Sequence, residues 1–241
     1  MRFGLSKTLR IALLAGIIAG LASGTFHFFF TEPVIDEAIA FEESMAGEGA
    51  SSEPPVVSRG GQRFGLIAGT TIFGILLAML FGAIYSRGYQ NLPGSSSLLK
   101  GIVLGVIVLT VVFLVPFLKY PANPPAVGLT ETIEFRQSIF LTFQVISIIG
   151  AGVAYLLFKK LPSTSISMRL GLGITAYIII VGTAFFLMPQ NPDPVPIPQS
   201  LLTSFVIRSL LGGIILWLVL GASYGFLWGL KSDNKPTNNK V

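Results

Sequence analysis

Residues 116–128, PFLKYPANPPAVG, end one long apolar segment and turn the chain toward the next. They contain four prolines, an asparagine and a glycine. Each proline fixes its own φ, removes an amide donor and disfavours the helical conformation in the residue before it, which predicts an extended stretch from Tyr120 to Pro125. The carbonyl groups of such a stretch would lack partners in hydrocarbon. We therefore expect a stiff loop at a membrane surface, or one folded back into a cavity of a helical bundle.

The composition of the whole chain is that of a membrane protein. Hydrophobic residues make up 52% and charged residues 11%, with a mean hydropathy of +0.76; a soluble domain carries about 25% charged residues. The absence of cysteine excludes disulfides and thiolate metal sites. The basic residues lie in short connections and form no patch interleaved with aromatics, which argues against a nucleic-acid partner. The lipid bilayer is the expected surrounding.

Six apolar stretches predict an all-α, polytopic membrane bundle of about six transmembrane helices. Each is close to the roughly 20 residues that a helix needs to cross a hydrocarbon core about 30 Å thick, and none contains Asp, Glu, Lys or Arg. We expect one integral membrane domain over residues 1–241, with spans at residues 11–30, 64–85, 101–118, 138–158, 170–188 and 209–230.

Charge asymmetry predicts the orientation, because cytoplasmic connections are enriched in Lys and Arg. With six spans and the N-terminus inside, eleven of the sixteen basic residues and one of the eleven acids lie on the inner side. Both termini are therefore expected in the cytoplasm. The predicted outer side carries an acidic loop at residues 31–63 and proline-rich loops at residues 119–137 and 189–208.

The first span also has features of a cleaved signal peptide. Arg2, Lys7 and Arg10 precede it, and Ala22–Gly24 resembles a small-residue cleavage site. The apolar run continues to Phe30, well past a usual h-region, which favours a retained span.

Glycines recur four residues apart in several spans, as at Gly16, Gly20 and Gly24, or Gly101 and Gly105. This spacing forms a groove that lets two helices approach closely. It is compatible with a tight bundle within one chain and equally with the contact face of a homo-oligomer.

Candidate metal ligands follow the first span. His27 is the only histidine, and Glu32 and Asp36 would fall one turn apart on one face if the helix continued past Pro33. Imidazole and carboxylate ligands together suit a borderline cation such as cobalt or nickel. The alternative is that His27 hydrogen-bonds a neighbouring helix while the seven acids of residues 31–63 form a solvated loop that attracts cations in general.

The two proline-rich loops add Asn123 and Asp193 as candidate oxygen ligands. Their prolines are typical of stiff interfacial turns, and residue types alone favour a rigid gate or docking surface over a binding site. The residues expected to hold this gate in shape are Pro121, Pro124, Pro125 and Gly128. Among the uncharged polar residues within the spans, Gln144 is expected to make an interhelical hydrogen bond.

The lack of charged residues in the spans argues against a proton-coupled carrier and against an enzyme. Proton-coupled carriers relay protons through Asp, Glu or His within the membrane, and no such residue occurs below His27. An enzyme needs a nucleophile with a base, or several metal ligands, and one histidine with charge-free spans does not supply them. We expect no enzymatic activity and no cofactor.

The motif at residues 119–128, KYPANPPAVG, resembles the hallmark of the CbtA family of cobalt transporter subunits. Supporting stretches are residues 32–38 (EPVIDEA), the second span with Gly65, Pro192–Asp193 and residues 217–221 (WLVLG). The resemblance implies a multi-pass protein of the bacterial inner membrane that admits cobalt, often for cobalamin biosynthesis, and frequently acts beside a small single-span subunit with a histidine motif. The family is commonly described with five spans, whereas this sequence predicts six.

The residues and the resemblance together favour a permease subunit for a divalent transition-metal cation. In this interpretation Glu32, Asp36 and His27 attract the ion, and Asn123 and Asp193 line the outer mouth. The alternatives are a non-transporting membrane scaffold that docks another protein through its glycine faces and outer loops, and a permease for another small solute.

Overall fold

The computed structural model describes residues 4–46, 57–125, 129–193 and 197–233, and over these residues the regular structure is entirely helical. A π-helix, His27–Thr31, joins α1 to α2, and a second, Leu109–Leu114, joins α4 to α5; a 3₁₀ turn, Thr130–Thr132, precedes α6. The α-helices are α1 (Leu5–Phe26), α2 (Glu32–Ala46), α3 (Arg59–Gly88), α4 (Ser97–Val108), α5 (Val115–Lys119), α6 (Ile133–Lys160), α7 (Ile166–Leu187) and α8 (Gln199–Asp233).

Six helical segments within the described ranges are long and apolar enough to cross a membrane, which confirms the predicted all-α, six-span fold. Five of them contain one predicted span each, and the predicted span at residues 170–188 extends one residue past the end of the fifth segment. The segments are Leu5–Met45, Arg59–Gly88, Ser97–Lys119, Ile133–Lys160, Ile166–Leu187 and Gln199–Leu230.

The helices extend beyond the predicted spans, mostly on the predicted outer side. Residues 32–46 and 59–63 of the expected acidic loop are helical, and so are residues 133–137 and 199–208 of the expected proline-rich loops. Hydropathy marks only the part of a helix that lies in hydrocarbon. Charged residues such as Arg136 and Arg208 end an apolar run without ending the helix.

Serine side chains fix where three of the helices begin. The hydroxyls of Ser58, Ser96 and Ser165 accept hydrogen bonds from the backbone N–H groups of Gly61, Leu99 and Met168 at 3.1–3.3 Å. Each bond satisfies one of the N–H groups that have no partner inside the first turn.

The chain divides into two compact units, and the boundary falls inside the third span. Unit 1 comprises Met1–Leu109 and Gln199–Val241, and therefore contains α1 to α4 and α8. Unit 2 comprises Thr110–Pro198 and contains α5, α6 and α7. Within unit 1, α1 packs against α3 and α8, and α4 packs against α8; within unit 2, α6 packs against α5 and α7.

Glycines form the closest helix contacts of unit 1. A Cβ added to Gly16 would lie 2.5 Å from Cα of Ile75, and one added to Gly20 would lie 2.5 Å from Cα of Thr71. Between α4 and α8, a Cβ on Gly221 would lie 2.6 Å from the carbonyl oxygen of Gly101. No real Cβ tolerates such distances, so these glycines are required for contacts within one chain.

Unit 1 also has a buried aromatic cluster, formed by Tyr85, Tyr224 and Trp228, each 0% exposed. The rings of Tyr85 and Tyr224 meet edge to face at 5.2 Å between centroids, as do those of Tyr85 and Trp228. The Tyr85 hydroxyl donates to the carbonyl oxygen of Ser97 at 2.7 Å. The cluster therefore ties α3 to α4 and α8 at the predicted inner end.

Candidate functional site

Two acids of α2 and two arginines of α3 form one ionic cluster on the predicted outer side. Glu32 and Asp36 lie one turn apart on the face of α2 that meets Arg59 and Arg63, themselves one turn apart. Nη2 of Arg59 donates to Oε2 of Glu32 at 2.8 Å and also to Oδ1 of Asp36. Arg63 donates to Oδ2 of Asp36, and its Nε lies 3.4 Å from Oε2 of Glu32.

The burial of the two acids differs. The side chain of Glu32 is 7% exposed and that of Asp36 is 40% exposed. Two formal positive charges face two formal negative charges, so this part of the acidic segment attracts cations less than its carboxylates alone would. An incoming cation reaches Asp36 first, and it must compete with the guanidinium groups for the carboxylate oxygens.

His27 lies at the start of the π-helix and faces α8 within unit 1. Its Nδ1 is 2.8 Å from Oγ1 of Thr31, and its ring packs so closely on Gly212 that a Cβ there would overlap it. One turn earlier, Oγ of Ser23 donates to the carbonyl oxygen of Gly212 at 3.0 Å. The ring thus packs in the α1–α8 contact, whereas the hydrogen bond of Nδ1 is to Thr31 of the same span and not to the neighbouring helix.

Each π-helix ends two residues before a proline, Pro33 in the first span and Pro116 in the third. Proline lacks the N–H that would bond the carbonyl four residues earlier, and its ring crowds that carbonyl. The wider π turn therefore leaves carbonyl groups for other partners. In the first π-helix, Nη1 of Arg208 donates to the carbonyl oxygen of Phe30 at 2.9 Å.

Asp193 is the most buried acid of unit 2, with a side chain 1% exposed. Its Oδ2 accepts from the N–H of Leu129 at 3.1 Å and from Oγ1 of Thr132 at 2.8 Å, and Nε of Arg136 lies 3.1 Å away. Oδ1 has no hydrogen-bond partner among the described residues. The carboxylate thus joins the loop that follows α7 to the residues at the start of α6.

Tyr120 joins the same two loops at a second point. Its hydroxyl donates to the carbonyl oxygen of Pro189 at 2.7 Å. Burial raises the pKa of Tyr120, so the phenol stays protonated and remains a donor at neutral pH. Nζ of Lys119 lies 4.8 Å from the ring centroid of Phe185, in range of a cation–π interaction.

The other residues of the predicted gate differ in exposure. Pro124 is buried and Asn123 half-buried, whereas Pro121 and Pro125 are exposed. Gly128 lies outside the described residues, and its part in the gate stays a prediction. Gln144 makes the expected interhelical hydrogen bond, from Nε2 to the carbonyl oxygen of Val112 at 2.8 Å.

The predicted ligands therefore fall into separate groups: Glu32 with Asp36, His27 against α8, and Asp193 with the start of α6. Over the described ranges, no three His, Cys, Asp or Glu side chains gather closely enough to hold a metal ion. Sequence reasoning missed Arg59, Arg63 and Arg136. The sequence did offer a signal for Arg59 and Arg63. These two arginines are four residues apart, as are the two acids that they contact.

These features define a multi-pass α-helical membrane protein whose predicted outer ends are held by ion pairs and proline-rich loops. The sequence profile of the family described as "Probable cobalt transporter subunit (CbtA)" matches residues 5–229. The chain therefore belongs to the CbtA family, a family of transporter subunits. No curated protein and no solved structure gives a significant match.

Proposed function

We propose that this chain is the permease subunit for a divalent transition-metal cation, and that the cation is cobalt entering the cell. The observation that carries the proposal is the family match over residues 5–229, nearly the whole chain. The six predicted spans contain no carboxylate that could relay protons. The ion would therefore be driven by the membrane potential, by a concentration gradient or by a partner.

In this proposal the ionic cluster is the first station for the ion. Asp36 is partly exposed and shares its two oxygens with two arginines, so an arriving dication must exchange with a guanidinium group for a carboxylate oxygen. The ion reaches Glu32 only after that exchange, because the Glu32 side chain is 7% exposed and is paired with Arg59. Asn123 and Asp193 are proposed to line the outer mouth of unit 2, with Pro121, Pro124, Pro125 and Gly128 keeping it in shape.

The protein is proposed to lie in the bacterial inner membrane with both termini in the cytoplasm, to supply cobalt for cobalamin biosynthesis, and to act beside a small single-span subunit that carries histidines. A histidine-bearing partner would supply the imidazole ligands that this chain lacks, since His27 is its only histidine. A homo-oligomer is compatible with the open face at Gly65 and Gly69, where an added Cβ would meet nothing within 4 Å.

The test is uptake of labelled cobalt by cells that lack their own cobalt transporters. The chain is expressed alone and with a small histidine-bearing neighbour, with nickel as competitor. Wild type is compared with Asp36→Asn and Asn123→Ala at equal membrane levels. Glu43→Gln is the matched control, because Glu43 is an exposed acid on the same helix as Asp36.

Saturable uptake that falls in Asp36→Asn or Asn123→Ala and is unchanged in Glu43→Gln would support a permease with its mouth on the predicted outer side. No uptake with or without the neighbour, despite wild-type levels in the membrane, would overturn the proposal and favour a scaffold. A scaffold should respond instead to substitutions on the glycine faces.

A further inference from the structure

Oxygen atoms from three helices meet inside unit 2, near the middle of α6 and α7. Oγ of Ser147 on α6 donates to the carbonyl oxygen of Val111 at 2.6 Å and lies 2.8 Å from the hydroxyl of Tyr177 on α7. Gln144, one turn from Ser147, donates from Nε2 to the carbonyl oxygen of Val112 at 2.8 Å. These five residues, Val111, Val112, Gln144, Ser147 and Tyr177, are called the oxygen cluster below.

The cluster lies where the third span, a continuous helical segment, changes from α-helix to π-helix. Pro116 has no N–H for the carbonyl of Val112, and the π-helix Leu109–Leu114 widens the preceding turn. An unpaired carbonyl inside a bilayer costs several kcal/mol, so side chains of α6 must supply donors. Ser147, 0% exposed, and Gln144 do so.

The cluster nevertheless keeps more acceptors than donors. The single hydroxyl hydrogen of Ser147 points to Val111, so the Tyr177 hydroxyl must donate to Ser147. That leaves acceptor lone pairs on the Tyr177 hydroxyl and on Oε1 of Gln144. An acceptor-rich group of neutral oxygens is the environment that replaces part of the hydration shell of a cation, as carbonyls do in channel filters.

We propose that the oxygen cluster is a transient coordination site for the permeating cation, reached by water from the predicted outer side. π-Helical turns inside α-helices are frequently found at functional sites. Without a carboxylate the site binds weakly, which lets the ion leave. Neutral oxygens also discriminate little between cobalt and harder dications, so selectivity must arise before this point.

The identity of the ion rests on the proposed function. Access of water to the oxygen cluster and binding of Co²⁺ there can both be measured without an uptake assay. Because the chain has no cysteine, single cysteines give a signal without background. Ala151→Cys places a reporter one turn from Ser147 on the same face of α6. The lipid-facing control is Ile149→Cys, because Ile149 is 58% exposed and lies at a similar depth on α6.

The full chain carrying each reporter is reconstituted in lipid vesicles and treated with a water-soluble cationic thiol reagent, with and without Co²⁺. We expect Ala151→Cys to react and Ile149→Cys not to react. A Co²⁺ concentration about ten times the dissociation constant should slow the reaction about tenfold. Adding Tyr177→Phe and Ser147→Ala should remove that protection.

A second substitution separates coordination from general damage to the fold. Ser223→Ala also removes a hydroxyl from a span, but that hydroxyl donates to Val219 of its own helix in unit 1. Protection of Ala151→Cys should persist in this background. An unreactive Ala151→Cys, reactivity without Co²⁺ protection, or equal protection with and without the cluster hydroxyls would each overturn the proposal. Absent cobalt uptake alongside protection would overturn only the proposed function.

Discussion

Nη2 of Arg59 donates to Oε2 of Glu32 at 2.8 Å, and the accepting side chain is 7% exposed. Arg63 reaches the same oxygen only at 3.4 Å, through Nε. Arg59 is therefore the main partner of a carboxylate that has little water around it. The pair connects α2, which continues from the first span, to the start of the second span.

Replacing Arg59 should destabilise the protein. We expect Arg59→Ala to lower the free energy of unfolding in detergent by about 1–3 kcal/mol, because a buried acceptor loses a charged donor. Arg87→Ala is the control on the same helix, where the guanidinium is exposed and donates to Ala83 of its own helix; its effect should stay within about 0.5 kcal/mol. Equal losses in the two variants would contradict the role assigned to Arg59.

Pro116 and Gln144 should be energetically coupled through the carbonyl of Val112. Pro116→Ala restores an N–H that can bond this carbonyl, so Gln144→Leu should cost less in the Pro116→Ala background than in wild type. A double-mutant cycle of unfolding free energies should give a coupling of about 0.5–1.5 kcal/mol. Additive effects would mean that Gln144 does not compensate for the proline.

Glycine substitutions should separate packed from open positions. Gly101→Ala should destabilise unit 1 by about 1–3 kcal/mol, because the new methyl group would overlap the carbonyl oxygen of Gly221. Gly69→Ala meets nothing within 4 Å and should leave unfolding in detergent nearly unchanged. The reverse order of the two effects would show that α4 and α8 do not pack through these glycines.

Asp193 should control the order of the segment before α6. In Asp193→Ala the N–H of Leu129 and the hydroxyl of Thr132 lose their acceptor. We expect hydrogen exchange at Leu129 to accelerate at least about fivefold, the equivalent of roughly 1 kcal/mol. Glu134→Gln changes an exposed acid in the first turn of α6 and serves as the control. Unchanged exchange in Asp193→Ala would rule out this anchoring.

The spans were predictable because they depend on a local property, the length of an apolar run. The glycine contacts of α1 and α4 followed from spacing, although only the structure shows that their partners are Ile75, Thr71 and Gly221 of the same chain. Helix ends were less predictable. Arg208 marks the start of the apolar run of the last span but lies well inside α8, where it donates to the carbonyl oxygen of Phe30.

The candidate site was only partly predictable. The residue types at Glu32 and Asp36 and their one-turn spacing were readable, but their partners are 23 to 31 residues away in sequence. Pairing over such separations depends on how α2 packs, and the matched four-residue spacing of the acids and the arginines was the one sequence signal for it. Likewise Asp193 looked like a loop acid with free oxygens, and its burial against Leu129, Thr132 and Arg136 follows from tertiary structure. The metal ligands remain predictions.

The pairing of glycine faces in unit 1 has a consequence for biosynthesis. The first and second spans, in contact through Gly16 and Gly20, can associate as soon as both have left the ribosome. The glycine face of α4 instead meets Gly221 of the last span, so it has no partner in the bilayer until three further spans have been synthesised. A chain that stalls before α8 would display this face to membrane quality-control proteases, whereas a finished chain conceals it.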